Sequence, residues 1–80
     1  MYVKLEDYKT GWYGITISMR RNEIDTLIGQ LRKLQMEENQ HFHLSSNYKG
    51  NTGVGDIEFN IQEGGKENMS ISGFAISPNR

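Results

Sequence analysis

Two histidines separated by a single residue are the side chains in this chain best suited to chemistry. His41 and His43 alternate with Phe42 and Leu44 in the run HFHLSS, and this two-residue period predicts a β-strand with both imidazoles on one face. Two residues along a strand span about 6.6 Å, so both rings can reach one metal ion. A zinc site also needs at least one further protein ligand.

A carboxylate that completes such a site is available in the next alternating run, DIEFNIQ. Asp56 or Glu58 would project from a neighbouring strand and give a set of two histidines and one carboxylate. Polar residues also commonly fill the solvated face of an antiparallel sheet. We therefore expect hydrogen-bonding roles, with no metal and no cofactor. The alternative is a metal- or small-ligand-binding domain that uses His41 and His43 on the open face of the sheet.

The same region contains the residue types of a hydrolytic triad, but without the arrangement that a triad needs. Ser45 and Ser46 lie near the histidines and Asp56 in the chain, yet no nucleophile-elbow sequence surrounds either serine. A chain of 80 residues also encloses little space for a substrate. We expect that the protein is not an enzyme.

The elements that must position these side chains begin with a helix, predicted over residues 21–38. Five aliphatic side chains recur there at three- and four-residue spacing, which places them on one helical face: Ile24, Leu27, Ile28, Leu31 and Leu34. Ser18 or Asn22 is expected to cap its start. Gly29 would mark a close approach of another backbone.

Strands are predicted on both sides of this helix. Residues 2–6 and 13–19 alternate around a Lys-Thr-Gly turn, which predicts a hairpin. After the helix come the His41 strand, a glycine-rich loop, the DIEFNIQ strand, a Gly-Gly turn and a fifth strand over residues 68–76.

The resulting order ββαβββ predicts an α+β fold in a single domain, 1–80. One helix packs on one face of a four- or five-stranded, mostly antiparallel sheet, because a helix of this length spans about 26 Å and a seven-residue strand about 23 Å. The favoured strand order is 2-1-3-4-5, and the alternative pairs strands two and three in parallel. The predicted core consists of Ile15, Ile17, Ile24, Leu27, Ile28, Leu31, Leu34, Phe42, Leu44, Ile57, Phe59 and Ile71.

The amino-acid composition indicates which classes of partner the protein binds and where in the cell it is found. Nine basic and ten acidic side chains give a net charge of -1, which provides no field for nucleic acid or an anionic membrane. The absence of cysteine suits the reducing cytosol, and no signal peptide or membrane-spanning run is evident. We expect a cytoplasmic protein with no nucleic-acid and no membrane partner.

The open face of the predicted sheet is the expected binding surface for a protein partner. Its neutral hydrogen-bonding groups suit a protein interface, with Trp12 as an aromatic anchor. The expected contact residues are Trp12, His41, His43, Glu58 and Asn60. Residues 68–76 carry no charge that would block edge pairing, so a homodimer is a further expectation.

Three segments, LIGQLRKLQ, HFHLSS and GVGDIEF, resemble small bacterial immunity proteins of polymorphic toxin systems, the Imm class of compact α+β domains encoded beside the toxins that they neutralise. The resemblance covers about residues 13–76. It implies a non-catalytic protein that occupies the surface of a cognate bacterial toxin.

Overall fold

The computed structural model describes residues 1–37, 39–62 and 64–71 of the 80-residue chain. These residues form four strands and one helix: β1 (Tyr2–Asp7), β2 (Tyr13–Ser18), α1 (Arg21–Met36), β3 (His41–Ser45) and β4 (Asp56–Asn60). The helix starts where the periodicity predicts and ends at Met36, while Glu38, the last residue of the predicted helix, lies outside the described residues.

The first two strands form the predicted hairpin. They pair antiparallel, with Val3 opposite Ile17 and Leu5 opposite Ile15. In the connection, the Lys9 N–H donates to Asp7 Oδ1 at 2.8 Å, which forms an Asx-type turn. Gly11 has φ 94°, a conformation that glycine adopts without steric cost.

The second pair of strands is antiparallel as well, also as predicted. His43 lies opposite Glu58 and Phe42 opposite Phe59, and the two phenylalanine rings stack with centroids 4.9 Å apart. This alternation places the aromatic pair on one face of the hairpin and the polar side chains on the other.

The prediction of a single four- or five-stranded sheet is wrong. The described strands form two separate two-stranded sheets, β1–β2 and β3–β4, so neither the order 2-1-3-4-5 nor the parallel pairing of strands two and three occurs among them. Matched element lengths permit a shared sheet, but only hydrogen bonds between strand edges create one. Of the predicted fifth strand, residues 68–71 are not in a strand, and residues 72–76 lie outside the described part of the chain.

The predicted core is also largely wrong, because α1 contacts β3 and does not cover the first hairpin to a comparable extent. Leu34 is the one buried hydrophobic side chain among the described residues, at 7% exposure. Five predicted core residues are half-buried: Leu27, Phe42, Leu44, Ile57 and Phe59. The other six are exposed: Ile15, Ile17, Ile24, Ile28, Leu31 and Ile71.

The helix N-terminus is held by Glu23 rather than by the predicted Ser18 or Asn22. The N-cap residue is Arg20, whose guanidinium has no acceptor atom, so the stabilising bond runs from the Arg20 N–H to Glu23 Oε1 at 2.9 Å. Glu23 Oε2 accepts from the Met1 ammonium group at 2.8 Å. The carboxylate therefore links the start of β1 to the first turn of α1.

Gly29 does not mark a close backbone approach, since no heavy atom outside its own surroundings lies within 4 Å of the position of an added Cβ. Within the described residues, α1 is too short and too polar to cross a membrane.

Candidate functional site

The polar face of the second hairpin gathers five side chains, which we call the histidine cluster: His41, His43, Asp56, Glu58 and Asn60. Strand pairing positions them, because His41 lies opposite Asn60 and His43 opposite Glu58. Asp56 lies one step diagonal to His43, opposite Ser45, which is within reach of a side chain on the same face.

The shortest contacts in the histidine cluster are those of His43 Nδ1. This nitrogen lies 2.8 Å from Asp56 Oδ2 and 3.0 Å from Asp56 Oδ1. A carboxylate only accepts hydrogen bonds, so this contact is a hydrogen bond in the His43 tautomer that carries the proton on Nδ1. The other ring nitrogen, Nε2, points toward Glu58, whose Oε1 is 3.8 Å away.

Glu58 and His41 complete the arrangement. Asn60 Nδ2 donates to Glu58 Oε2 at 2.7 Å, which leaves Oε1 on the side of His43. The His41 ring stands nearly perpendicular to the His43 ring, with centroids 5.0 Å apart and an interplanar angle of 80°. One ligand atom each from His41, His43 and Glu58 lies within 4.8 Å of the others.

The sequence predicted this grouping in part. Alternation in two runs indicated that the two histidines share a face and that Asp56 or Glu58 adjoins them. It could not separate the two carboxylates, which have different positions in the structure: Asp56 bonds Nδ1 of His43, whereas Glu58 faces Nε2.

Trp12, the fifth predicted contact residue, lies on the other hairpin. It is in the connection between β1 and β2, where its carbonyl accepts from the Tyr8 N–H at 3.2 Å, and its side chain is 74% exposed. The structure therefore brings His41, His43, Glu58 and Asn60 together and places Trp12 in the connection of the other hairpin.

The surface beside Trp12 is apolar, and two of its residues, Ile15 and Ile17, were predicted to lie in the core but are exposed. We define the hairpin apolar face as Val3, Leu5, Tyr13, Ile15 and Ile17, which alternation and register place on one side of β1–β2. Exposure increases from 43% at Ile17 through 59% at Ile15 to 60% at Tyr13, toward the hairpin connection. The same alternation that predicts a buried face is equally compatible with an interface.

A groove of about 850 Å³ separates the two hairpins. Its walls include Tyr2 and Val3 from β1, Leu27 from α1, and Leu44 and Ile57 from the second hairpin.

The chain matches no known family model, no curated protein and no solved structure.

Proposed function

We propose that this chain is a non-catalytic protein-binding module that neutralises a cognate bacterial toxin by occupying its surface. The observation that carries the proposal is the hairpin apolar face, in which Leu5, Tyr13, Ile15 and Ile17 are exposed in the isolated chain and Val3 is half-buried. Contiguous apolar surface on a soluble protein marks an interaction site more often than a scattering of single apolar residues does.

The residue types of this face suit a protein interface. Tyr13 and the adjacent Trp12 are exposed aromatic side chains, the types most enriched among residues that dominate binding energy. Asp7 and Lys9 lie beside them and supply a polar rim in which both charge signs are present. A partner surface that is apolar at its centre and close to neutral in charge fits this composition.

The free energies of burial and of association favour an interface built on several of these side chains. Full burial of one large apolar side chain contributes about 1.5–3 kcal/mol, whereas association costs about 4–15 kcal/mol in lost translational and rotational freedom. Leu5, Tyr13, Ile15 and Trp12 together can offset that cost only if most of them are covered at once. The partner must therefore contact both strands and the connection between them.

The identity of the partner as a toxin is supported by the resemblance of three segments to immunity proteins. LIGQLRKLQ lies within α1 and HFHLSS forms β3, two elements that contact each other, and GVGDIEF leads into β4, which pairs with β3. These segments do not include the hairpin apolar face. The toxin class thus rests on the resemblance, and the location of the interface rests on the exposed face.

The test begins with capture of the partner from cells by the tagged chain and identification of the captured protein. The gene of that protein is then expressed alone and together with the gene of this chain. We expect the captured partner to arrest growth when expressed alone and the chain to relieve that arrest. Ile15→Ser should abolish both capture and relief. Thr16→Ala is the matched control, because Thr16 is the next residue of the same strand and projects from the opposite face. A partner that is harmless alone would contradict the immunity function.

A further inference from the structure

We propose that His41, His43 and Glu58 form a binding site for a divalent transition metal ion, zinc in the first instance, with Asp56 as the group that orients His43. This site lies on the second hairpin, and the inference is independent of the proposed partner surface on the first hairpin.

The Asp56–His43 contact is the arrangement that metal-binding histidines ordinarily have. A ligating imidazole almost always donates its second N–H to a carboxylate or carbonyl, which sets the tautomer and the direction of the metal-binding nitrogen. Here both Asp56 oxygens lie within 3.0 Å of Nδ1. The lone pair of Nε2 is then available on the side where Glu58 lies.

The separation of His43 Nε2 from Glu58 Oε1 distinguishes a metal site from a simple hydrogen bond. At 3.8 Å, the two atoms are too far apart to share a proton. Two ligands at about 2.0–2.2 Å from one tetrahedral zinc ion lie about 3.3–3.6 Å from each other. The observed distance is therefore close to what an ion between the two atoms requires.

The remaining ligands can close on an ion with small movements. The three ligand atoms lie within 4.8 Å of one another, so rotations that move them by about 1 Å reach tetrahedral spacing. All three side chains are exposed and have room for such rotations. Glu58 is already oriented by the bond that its Oε2 accepts from Asn60.

The chemistry of the donors selects the class of ion. Two imidazole nitrogens and one carboxylate oxygen suit zinc and neighbouring transition metals, whereas calcium and magnesium prefer oxygen ligands alone. Three protein ligands leave a fourth tetrahedral position for a water molecule.

Isothermal titration of the chelator-treated protein with zinc chloride tests the site, and visible absorption after addition of cobalt(II) gives an independent measure of coordination. We expect one zinc ion per chain. His43→Ala and Glu58→Gln should lose stoichiometric binding, and Asp56→Asn should weaken it by about 10- to 100-fold, as expected for a group that acts through a ligand. Asp25→Asn, on the exposed surface of α1, is the control and should bind as the unaltered chain does.

Far-UV circular dichroism of each variant establishes that it is folded, and the isosteric Glu58→Gln keeps the test valid if His43→Ala does not fold. Three results would overturn the proposal. They are no stoichiometric zinc binding, undiminished binding in Glu58→Gln, and a greater loss in Asp56→Asn than in Glu58→Gln, which would make Asp56 the ligand.

Discussion

Leu34 is the one described side chain that the chain buries. It lies on the last turns of α1 beside His41 and Phe42. Leu34→Ala should lower the free energy of unfolding by about 2–5 kcal/mol. Leu31→Ala makes the same chemical change one turn earlier at a side chain that is 39% exposed, and it should cost about 1 kcal/mol or less. Urea denaturation of the two variants measures the difference, and equal losses would restore the predicted helix stripe as core.

The Glu23 carboxylate makes a pH-dependent contribution to the stability of the fold. Its pKa lies below the ordinary value because the carboxylate accepts from the Met1 ammonium group and, secondarily, from the Arg20 N–H. A lowered folded-state pKa stabilises the fold above the ordinary pKa of the carboxyl, and that stabilisation disappears as pH falls through the lowered value. Glu23→Gln should therefore reduce the melting temperature at neutral pH and have little effect in acid.

The control for this prediction is acetylation of the Met1 amine, which removes the larger of the two causes. In the acetylated chain, Glu23→Gln should lower the melting temperature at neutral pH by less than it does in the unmodified chain. A difference that persists unchanged in acid, below the lowered pKa of Glu23, would show that charge is not its source.

At the scale of single elements, the sequence predicts the structure well, because the determining interactions are local. The helical period of α1, the alternation of β3 and β4, and the turn residues Lys9, Thr10 and Gly11 each specify an element within a few residues. The proximity of the histidines to Asp56 and Glu58 follows from that alternation. Their hydrogen bonds do not, since they depend on side-chain rotamers within an already paired hairpin.

Substitutions at two glycines test how local backbone conformation contributes to the stability of the fold. Gly11→Ala should destabilise the first hairpin by about 1–2 kcal/mol, because Gly11 has φ 94°. Gly29→Ala should stabilise the protein by about 1 kcal/mol, because Gly29 is inside α1 and an added methyl group meets open space. The two substitutions are chemically identical, and thermal unfolding should shift in opposite directions. A change of the melting temperature in the same direction in both variants would contradict the assigned turn or the assigned helix.

At the scale of the whole molecule, the sequence is a poorer guide. Pairing of β1 with β3 would join strands separated by the entire helix, and neither strand carries a residue pattern that specifies its edge partner. The apolar alternation of Leu5, Ile15 and Ile17 is compatible with a core and with an interface. Only the position of α1, which contacts β3, distinguishes the two possibilities.

The hairpin apolar face could also bind a second copy of the chain. The expectation of a homodimer depended on an uncharged fifth strand, of which residues 68–71 are not in a strand and residues 72–76 lie outside the described residues. Among the described residues, the hairpin apolar face offers a surface for self-association. Light scattering at micromolar concentration should give the chain mass of 9.2 kDa if the face is reserved for another protein. A mass of about 18 kDa for the unaltered chain, together with the monomer mass for Ile15→Ser, would favour the homodimer.

An NMR titration of the isotope-labelled chain with the captured partner shows which face of the chain binds, because methyl and aromatic signals report the contact surface. We predict perturbation and loss of solvent accessibility at Leu5, Tyr13 and Ile15, with Thr16 on the opposite face unaffected. Perturbation confined to the histidine cluster, with the hairpin apolar face unchanged, would contradict the account.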